Sequence, residues 1–369
     1  MNSIKTNQHT YDKQLQTRKI QTKITKLFNI QHPIILPGMS WISTPELVAA
    51  VSNAGGLGIL AMGPLSPKET EESIQKIRSL TNKPFGVGCT LMMPGAKENA
   101  EVALDLKVPV INFSLGKGEW IVKAAHEYGG KVLATVVNKK HAKSALDVGA
   151  DALMVTGHEA AAHGGDVTTL VLIPSITSYV KNELQRNDVP IIAAGGFANG
   201  RGLLAALSLG ADGIAMGSRL ATSLESPLHP NIKNHIITKD ETDTLYSSNY
   251  DGIPARVMKS NKTIHLTKHR PNILQVAIRA IQASKTFNVP IYKIIPGLIA
   301  DYKKIYMLAQ FGAATKQFMG ATMDGDLEEG VQFIGQSQGL IGDIVSVEDI
   351  INRCVLEAEG VYKDLDHVM

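Results

Sequence analysis

Cysteine is almost absent from this 369-residue chain: only Cys89 and Cys354 occur, and neither belongs to a CxxC pair. That argues against a disulfide framework and a cysteine zinc site, and it fits a reducing, cytoplasmic setting. Neither sign of charge dominates, with 37 basic and 34 acidic side chains giving a net charge of +3. Such a balance carries no polyanion-binding signal, so nucleic acid is not an expected partner. No apolar run reaches the ~20 residues a bilayer span needs, so no membrane insertion is expected either. The N-terminal stretch is basic (Lys5, Lys13, Arg18, Lys19, Lys23 and Lys26 against Asp12) but lacks the apolar core and small-residue cleavage site of a targeting peptide. Residues 1–21 are therefore read as a polar, flexible tail.

What the chain has is alternation. With 44% hydrophobic residues it can bury a full-sized core. Short apolar runs predict strands near 33–37, 58–61, 85–88, 108–113, 132–136, 152–156, 190–194 and 213–216. Helix-patterned stretches fall between them, including 44–54, 67–80, 119–128, 139–148 and 202–209. This order predicts a parallel sheet with right-handed crossovers. Eight units favour a closed α/β barrel of the TIM (β/α)8 type, and a miscounted run would instead give an open doubly wound sheet. Phrases such as AGGLGIL, VGADALMV and LGADGIAM repeat a helix ending at glycine followed by a strand. The predicted organisation is a barrel over 22–224, a smaller α-rich cap over 225–329, and a return to the barrel with a C-terminal helix over 330–369.

Two of these units place glycine where a phosphate could sit. The run PIIAAGG stops at Gly195 and Gly196 before a helix, and GIAMGS stops at Gly217 and Ser218. Loops after the last two strands of such a barrel commonly bind phosphate, because bare backbone N–H groups and helix N-termini approach the anion. The expected sixth strand exits into VTGHEAAAHGGD, which puts His163 at the same mouth as a candidate proton-transfer residue. His158 and His163 are five residues apart, not four, so no metal site is expected. The first strand exits at Gly38 and Met39, suited to a flat ring lying on backbone beside a polarisable sulfur. Gly88, after the third strand, leaves further room. Cys89 has no activating neighbour and reads as a small buried hydrophobe. Gly55, Gly56 and Gly58 precede a strand, so they are not a dinucleotide fingerprint. Lys303 and Lys304, with Tyr302 and Tyr306, read as a solvated amphipathic patch.

The stretches PIILPGMSWISTPELVAAVSNAGGLGIL, KPFGV, GHEAAAHGG, PIIAAGGFANGRGLLAALSLGADGIAMGSR and GQSQGLI occur together and in order. Over roughly residues 22–355 the chain thereby resembles the 2-nitropropane dioxygenase-like flavoproteins, which include nitronate monooxygenases and the flavin-type enoyl-ACP reductase II. The resemblance implies FMN bound non-covalently in a barrel with a second domain over it. Gly195, Gly196, Gly217 and Ser218 would then cradle its phosphate, while Gly38 and Met39 would contact its ring. Gly88 would lie at the cofactor, Gln336 would fall at the family's AGQ-type position, and His163 would match the histidine of EAGGH. The chain departs from the pattern where GVN becomes GVG, where Ala161 and Ala162 replace two glycines, and where GM replaces PM. The implied activity is oxidation of alkyl nitronates by O2 to a carbonyl compound and nitrite. The alternatives are NADH-dependent reduction of an enoyl thioester and a flavin-binding protein without either activity. The resemblance further implies a small-molecule substrate and allows a homodimer. An IMP dehydrogenase-like barrel would need a cysteine in the loop that here carries His163.

Overall fold

The structure, a computed structural model, describes residues 20–269 and 314–367. Tyr302, Lys303, Lys304 and Tyr306, most of the basic tail and part of the expected cap lie outside the described residues.

Eight parallel strands close into a barrel: β1 (Ile34–Leu36), β2 (Leu57–Ala61), β3 (Phe85–Thr90), β4 (Val110–Ser114), β5 (Lys131–Val136), β6 (Ala152–Thr156), β8 (Ile191–Ala194) and β9 (Gly213–Ala215). Closure comes from β1 pairing with β9, Ile34 with Ile214 and Ile35 with Ala215. Strands of a parallel barrel are covered on both faces, which is why their apolar runs are nearly continuous. Inward-facing Ile35, Leu57, Ile59, Val110, Leu133, Met154 and Ile192 fill the interior, and Ile24 and Phe28 close it from below. These last two belong to or flank α1 (Lys23–Leu27).

The outer ring is α2 (Pro45–Asn53), α3 (Pro67–Leu80), α4 (Ala96–Asp105), α5 (Glu119–Glu127), α6 (Lys139–Asp147), α7 (Thr169–Ser178) and α8 (Gly200–Ser208). Their starts are chemically marked. Ser66 caps α3 in a reciprocal pair with Glu69, while Asn138 and Asn199 cap α6 and α8 through their side-chain oxygens. In α3 the buried residues Thr70, Ile74 and Ile77 follow helical spacing, so one face meets the barrel. The C-terminal helix (Val347–Asp366) returns to pack on α8 and α2, burying Ile351, Cys354, Val355 and Ala358. Glu357 anchors it by accepting a hydrogen bond from the Gly200 amide at 2.8 Å.

Over the C-terminal mouth sits a second layer that includes a three-stranded antiparallel sheet. Its strands are β10 (Thr244–Ser247), β11 (Ala255–Met258) and β7 (Ala162–His163), the last supplied by the loop after β6. The cap is expected to be α-rich from short helical patches, and α10 (Pro230–Ile236), α11 (Asn261–Lys268) and helical residues 314–324 lie in or beside it among the described residues. The strand β7 escapes a local reading because two residues carry no period. Tyr250, Val257, Leu266, Phe318 and Val331 make this layer's own core, with Trp41 from the β1 exit packed against it.

Candidate active site

The loops at the C-terminal ends of the barrel strands enclose a cavity of about 720 Å³. Gly195 and Gly196 follow β8 in left-handed conformations, with φ of +95° and +87°. A Cβ on Gly195 would come within 3.0 Å of the Gly157 carbonyl oxygen, so the position demands glycine on both counts. Gly217 and Ser218 follow β9 and begin α9 (Ser218–Ala221). Gly217 is not strained, and a Cβ there would stand 3.5 Å from the Met39 sulfur, at the cavity wall. Among the described residues, no backbone carbonyl accepts from the amides of Gly195, Gly196, Gly217 or Ser218. Unpaired N–H groups from two adjacent loops suit an anion with several oxygens. The Ser218 hydroxyl accepts from the Gly335 amide at 2.9 Å, tying the segment before Gln336 to this cradle.

His163 lines the same cavity from β7. Its Nε2 donates to Oδ2 of Asp251 at 2.8 Å, and that carboxylate is fully buried while the imidazole is 22% exposed. An ionised carboxylate can only accept, so the hydrogen bond to Asp251 places a proton on Nε2. Oδ1 of Asp251 accepts from the Ile253 amide at 3.1 Å, which fixes the carboxylate in its turn. The ring edge meets Phe333, with centroids 5.9 Å apart.

The loop that carries His163 is held on several sides. Arg256, 4% exposed, donates to the His158 carbonyl oxygen from Nε and Nη2 at 3.2 and 3.0 Å, and to Thr244 Oγ1 at 2.9 Å. Burial pushes its guanidinium below the usual arginine range, opposed by the charge of Glu159. The Glu159 carboxylate accepts from the Thr169 amide at 2.9 Å, and Thr169 Oγ1 lies 2.7 Å from it and 2.9 Å from the Gly195 carbonyl oxygen. Tyr246 donates its hydroxyl to the Gly164 carbonyl at 2.9 Å. The histidine loop and the glycine loop are therefore one hydrogen-bonded unit.

Gly38, Met39, His163, Gly195, Gly196, Gly217 and Ser218 all line the cavity. Gly88 sits behind that wall, its would-be Cβ 3.6 Å from Cα of Gly38. The Gln336 amide donates to the Glu159 carbonyl at 3.0 Å, and its neighbours Gly335 and Ser337 reach the cavity. Asp251, Arg256, Asn112 and Thr135 are additions that sequence reasoning missed. The cap residues had no motif, and the strand residues were hidden inside apolar runs. Cys89 donates to the Ala96 carbonyl at 3.2 Å on the outer face of β3, and burial pushes its thiol up to about 12. That placement suits a core residue and gives no nucleophile. Among the described residues no three His, Cys, Asp or Glu side chains gather as a metal site, and no helix is long and apolar enough to cross a membrane.

Comparison with known proteins adds the following. The profile of the nitronate monooxygenase family matches residues 21–104 and 95–357. A (3aS,4S,5R,7aS)-5-hydroxy-7a-methyl-1-oxo-octahydro-1H-indene-4-carboxyl-CoA dehydrogenase from Rhodococcus jostii is 33% identical over 355 residues, covering 92% of this chain and 96% of that one. A probable nitronate monooxygenase from Staphylococcus saprophyticus is 32% identical over 289 residues, covering 67% of this chain and 81% of its own. Among solved structures, FabK from Thermotoga maritima is 33% identical with a TM-score of 0.75, covering 95% of this chain and 99% of that one.

Proposed function

The chain belongs to the nitronate monooxygenase family of oxidoreductases, and from that premise we propose that its cavity holds FMN and serves redox chemistry at the Cα–Cβ bond of an acyl thioester. The observation that carries this reading is the presence, in one cavity, of an unpaired amide cradle and a carboxylate-oriented histidine. The residues fit the cofactor. Four free amides at the ends of β8 and β9 match a phosphate monoester, and a Cβ at Gly217 would intrude on the space beside them. Gly38 and Met39 offer a flat, polarisable surface for the ring. When bound, FMN supplies the hydride-accepting and hydride-donating capacity that no side chain has.

The chain's own residues would supply the proton and the orientation. His163 would give a proton to the thioester Cα during reduction, or remove it in the reverse direction. Asp251 would hold the ring in one tautomer and stabilise the imidazolium as it forms. Met92, Met93 and Leu115 would line the acyl chain's path, and Lys117 and His141 stand at the open rim. Two of the relatives matched across more than nine tenths of the chain, one of them named for a CoA thioester, support the same direction.

Oxidation of a nitronate is the second reading, favoured by the family profile and by relatives named as probable nitronate monooxygenases. In it His163 would position the anionic substrate or remove the α-proton of the neutral nitroalkane. Anaerobic mixing separates the two. The thioester reading expects NADH to bleach the flavin absorbance and crotonyl-CoA to restore it. Bleaching by propyl nitronate but not by NADH, with nitrite released in air, would reject it in favour of the second.

A further inference from the structure

The floor of the cavity is the upper inward-facing layer of the barrel. Val110 and Leu133 belong to the interior cluster, and strand side chains alternate, so Asn112 on β4 and Thr135 on β5 face inward one layer higher. Around them the floor is apolar or small, with Met154, Ala194 and Ala215. Asn112 is 7% exposed, and its Oδ1 accepts from the Thr135 hydroxyl at 3.1 Å. The ladder partner of Asn112 on β3 is Gly88, which has no side chain to offer the amide. Among the described residues nothing accepts from Asn112 Nδ2, although the side chain lines the cavity. An amide donor that faces a cavity, with its oxygen already engaged, is placed to meet an acceptor on a ligand there.

We propose that Asn112 is a cofactor-binding residue that donates from Nδ2 to a carbonyl or ring-nitrogen acceptor of the flavin ring, with Thr135 fixing the direction of the amide. The inference rests on the FMN reading above. Carbonyl and imine acceptors of a flavin gain electron density on reduction, so a fixed donor strengthens its bond to the reduced form. Asn112 would therefore set the redox poise of the cofactor as well as its affinity.

The test compares Asn112→Ala, Asn112→Asp and Thr135→Val in the full chain by FMN fluorescence titration and by the flavin midpoint potential. Asn112→Ala is expected to raise the FMN Kd roughly tenfold and to lower the potential. Asn112→Asp can still accept from Thr135 but presents a carboxylate to the ring, so it should bind FMN more weakly than the alanine variant. Thr135→Val should give a smaller loss. If Asn112 serves only the fold, Asn112→Asp will bind FMN like wild type with an unchanged potential, and the inference is overturned. The same isosteric variant decides the matter if Asn112→Ala does not fold. Failure of the FMN reading itself would show differently, as wild-type protein that takes up no FMN.

Discussion

Replacing Asp251 by Asn probes the proton-handling half of the site without emptying it. Asp251 is fully buried, so an alanine there would leave a cavity as well as remove a charge. Asparagine keeps the volume and keeps Oδ1 for the Ile253 amide. What it loses is the negative charge and, because its NH2 now takes the place of Oδ2, the acceptor 2.8 Å from His163 Nε2. Hydrogen bonds to charged groups contribute about 1.5–3 kcal/mol, and each ~1.4 kcal/mol is tenfold, so turnover should fall on the order of 10- to 100-fold. The assay is anaerobic single turnover with crotonyl-CoA, after flavin content and melting temperature are shown to match wild type. On a His163→Ala background the same substitution should cost little more, because the two residues act as one unit. Turnover equal to wild type with flavin fully bound would refute the reasoning, as would additive losses in the double variant.

His163→Ala should retain FMN yet cut turnover roughly 10²–10⁴-fold, and unchanged turnover would remove it from the chemistry. Gly195→Ala and Gly217→Ala should fail in different ways. The first forces a left-handed residue against the Gly157 carbonyl at a cost of ~1–3 kcal/mol and should lower the melting temperature. The second should fold normally and lose FMN affinity, because its Cβ makes only ordinary contacts with the protein yet stands at the cavity wall beside the proposed phosphate cradle. Both cysteine thiols are pushed up by burial to about 12 from an ordinary 9, Cys354 with a further push from Glu357. The native protein should therefore resist thiol reagents at pH 8, and two thiols should react after denaturation. A folded-state pKa above the unfolded one favours the fold fully below pH 9 and less as pH rises toward 12, so thermal stability should decline over that window. Rapid labelling of either cysteine in folded protein would contradict the burial argument.

The barrel was legible because each of its strands is buried on both faces. Runs such as ALMVT and IIAA declare themselves by unbroken apolarity: 152–156 is a strand as predicted, and the predicted 190–194 is one over 191–194. The position of the glycine pairs was legible too, since a strand that stops at bare backbone before a helix marks a strand exit, and these glycines line the cavity. Asp251 was not legible. It lies 88 residues from His163, and nothing in SSNYDGIPA marks one carboxylate as a partner for a distant imidazole. The strand β7 was invisible for a related reason: two residues show no alternation, and only pairing with Ala255 and Arg256 makes them a strand. Asn112 sits in VINFS, where an apolar reading absorbs a lone amide, and only the closed barrel shows that it faces the cavity.

In the proposed function, the loops after β8 and β9 hold the phosphate of FMN. Titrating the cofactor-stripped protein with FMN and with riboflavin, which lacks that phosphate, tests it most directly. One FMN should bind per chain, and riboflavin should bind more weakly on the order of 100-fold, because the four amides lose their anion. Equal affinity for the two flavins, or no uptake of either, would contradict it.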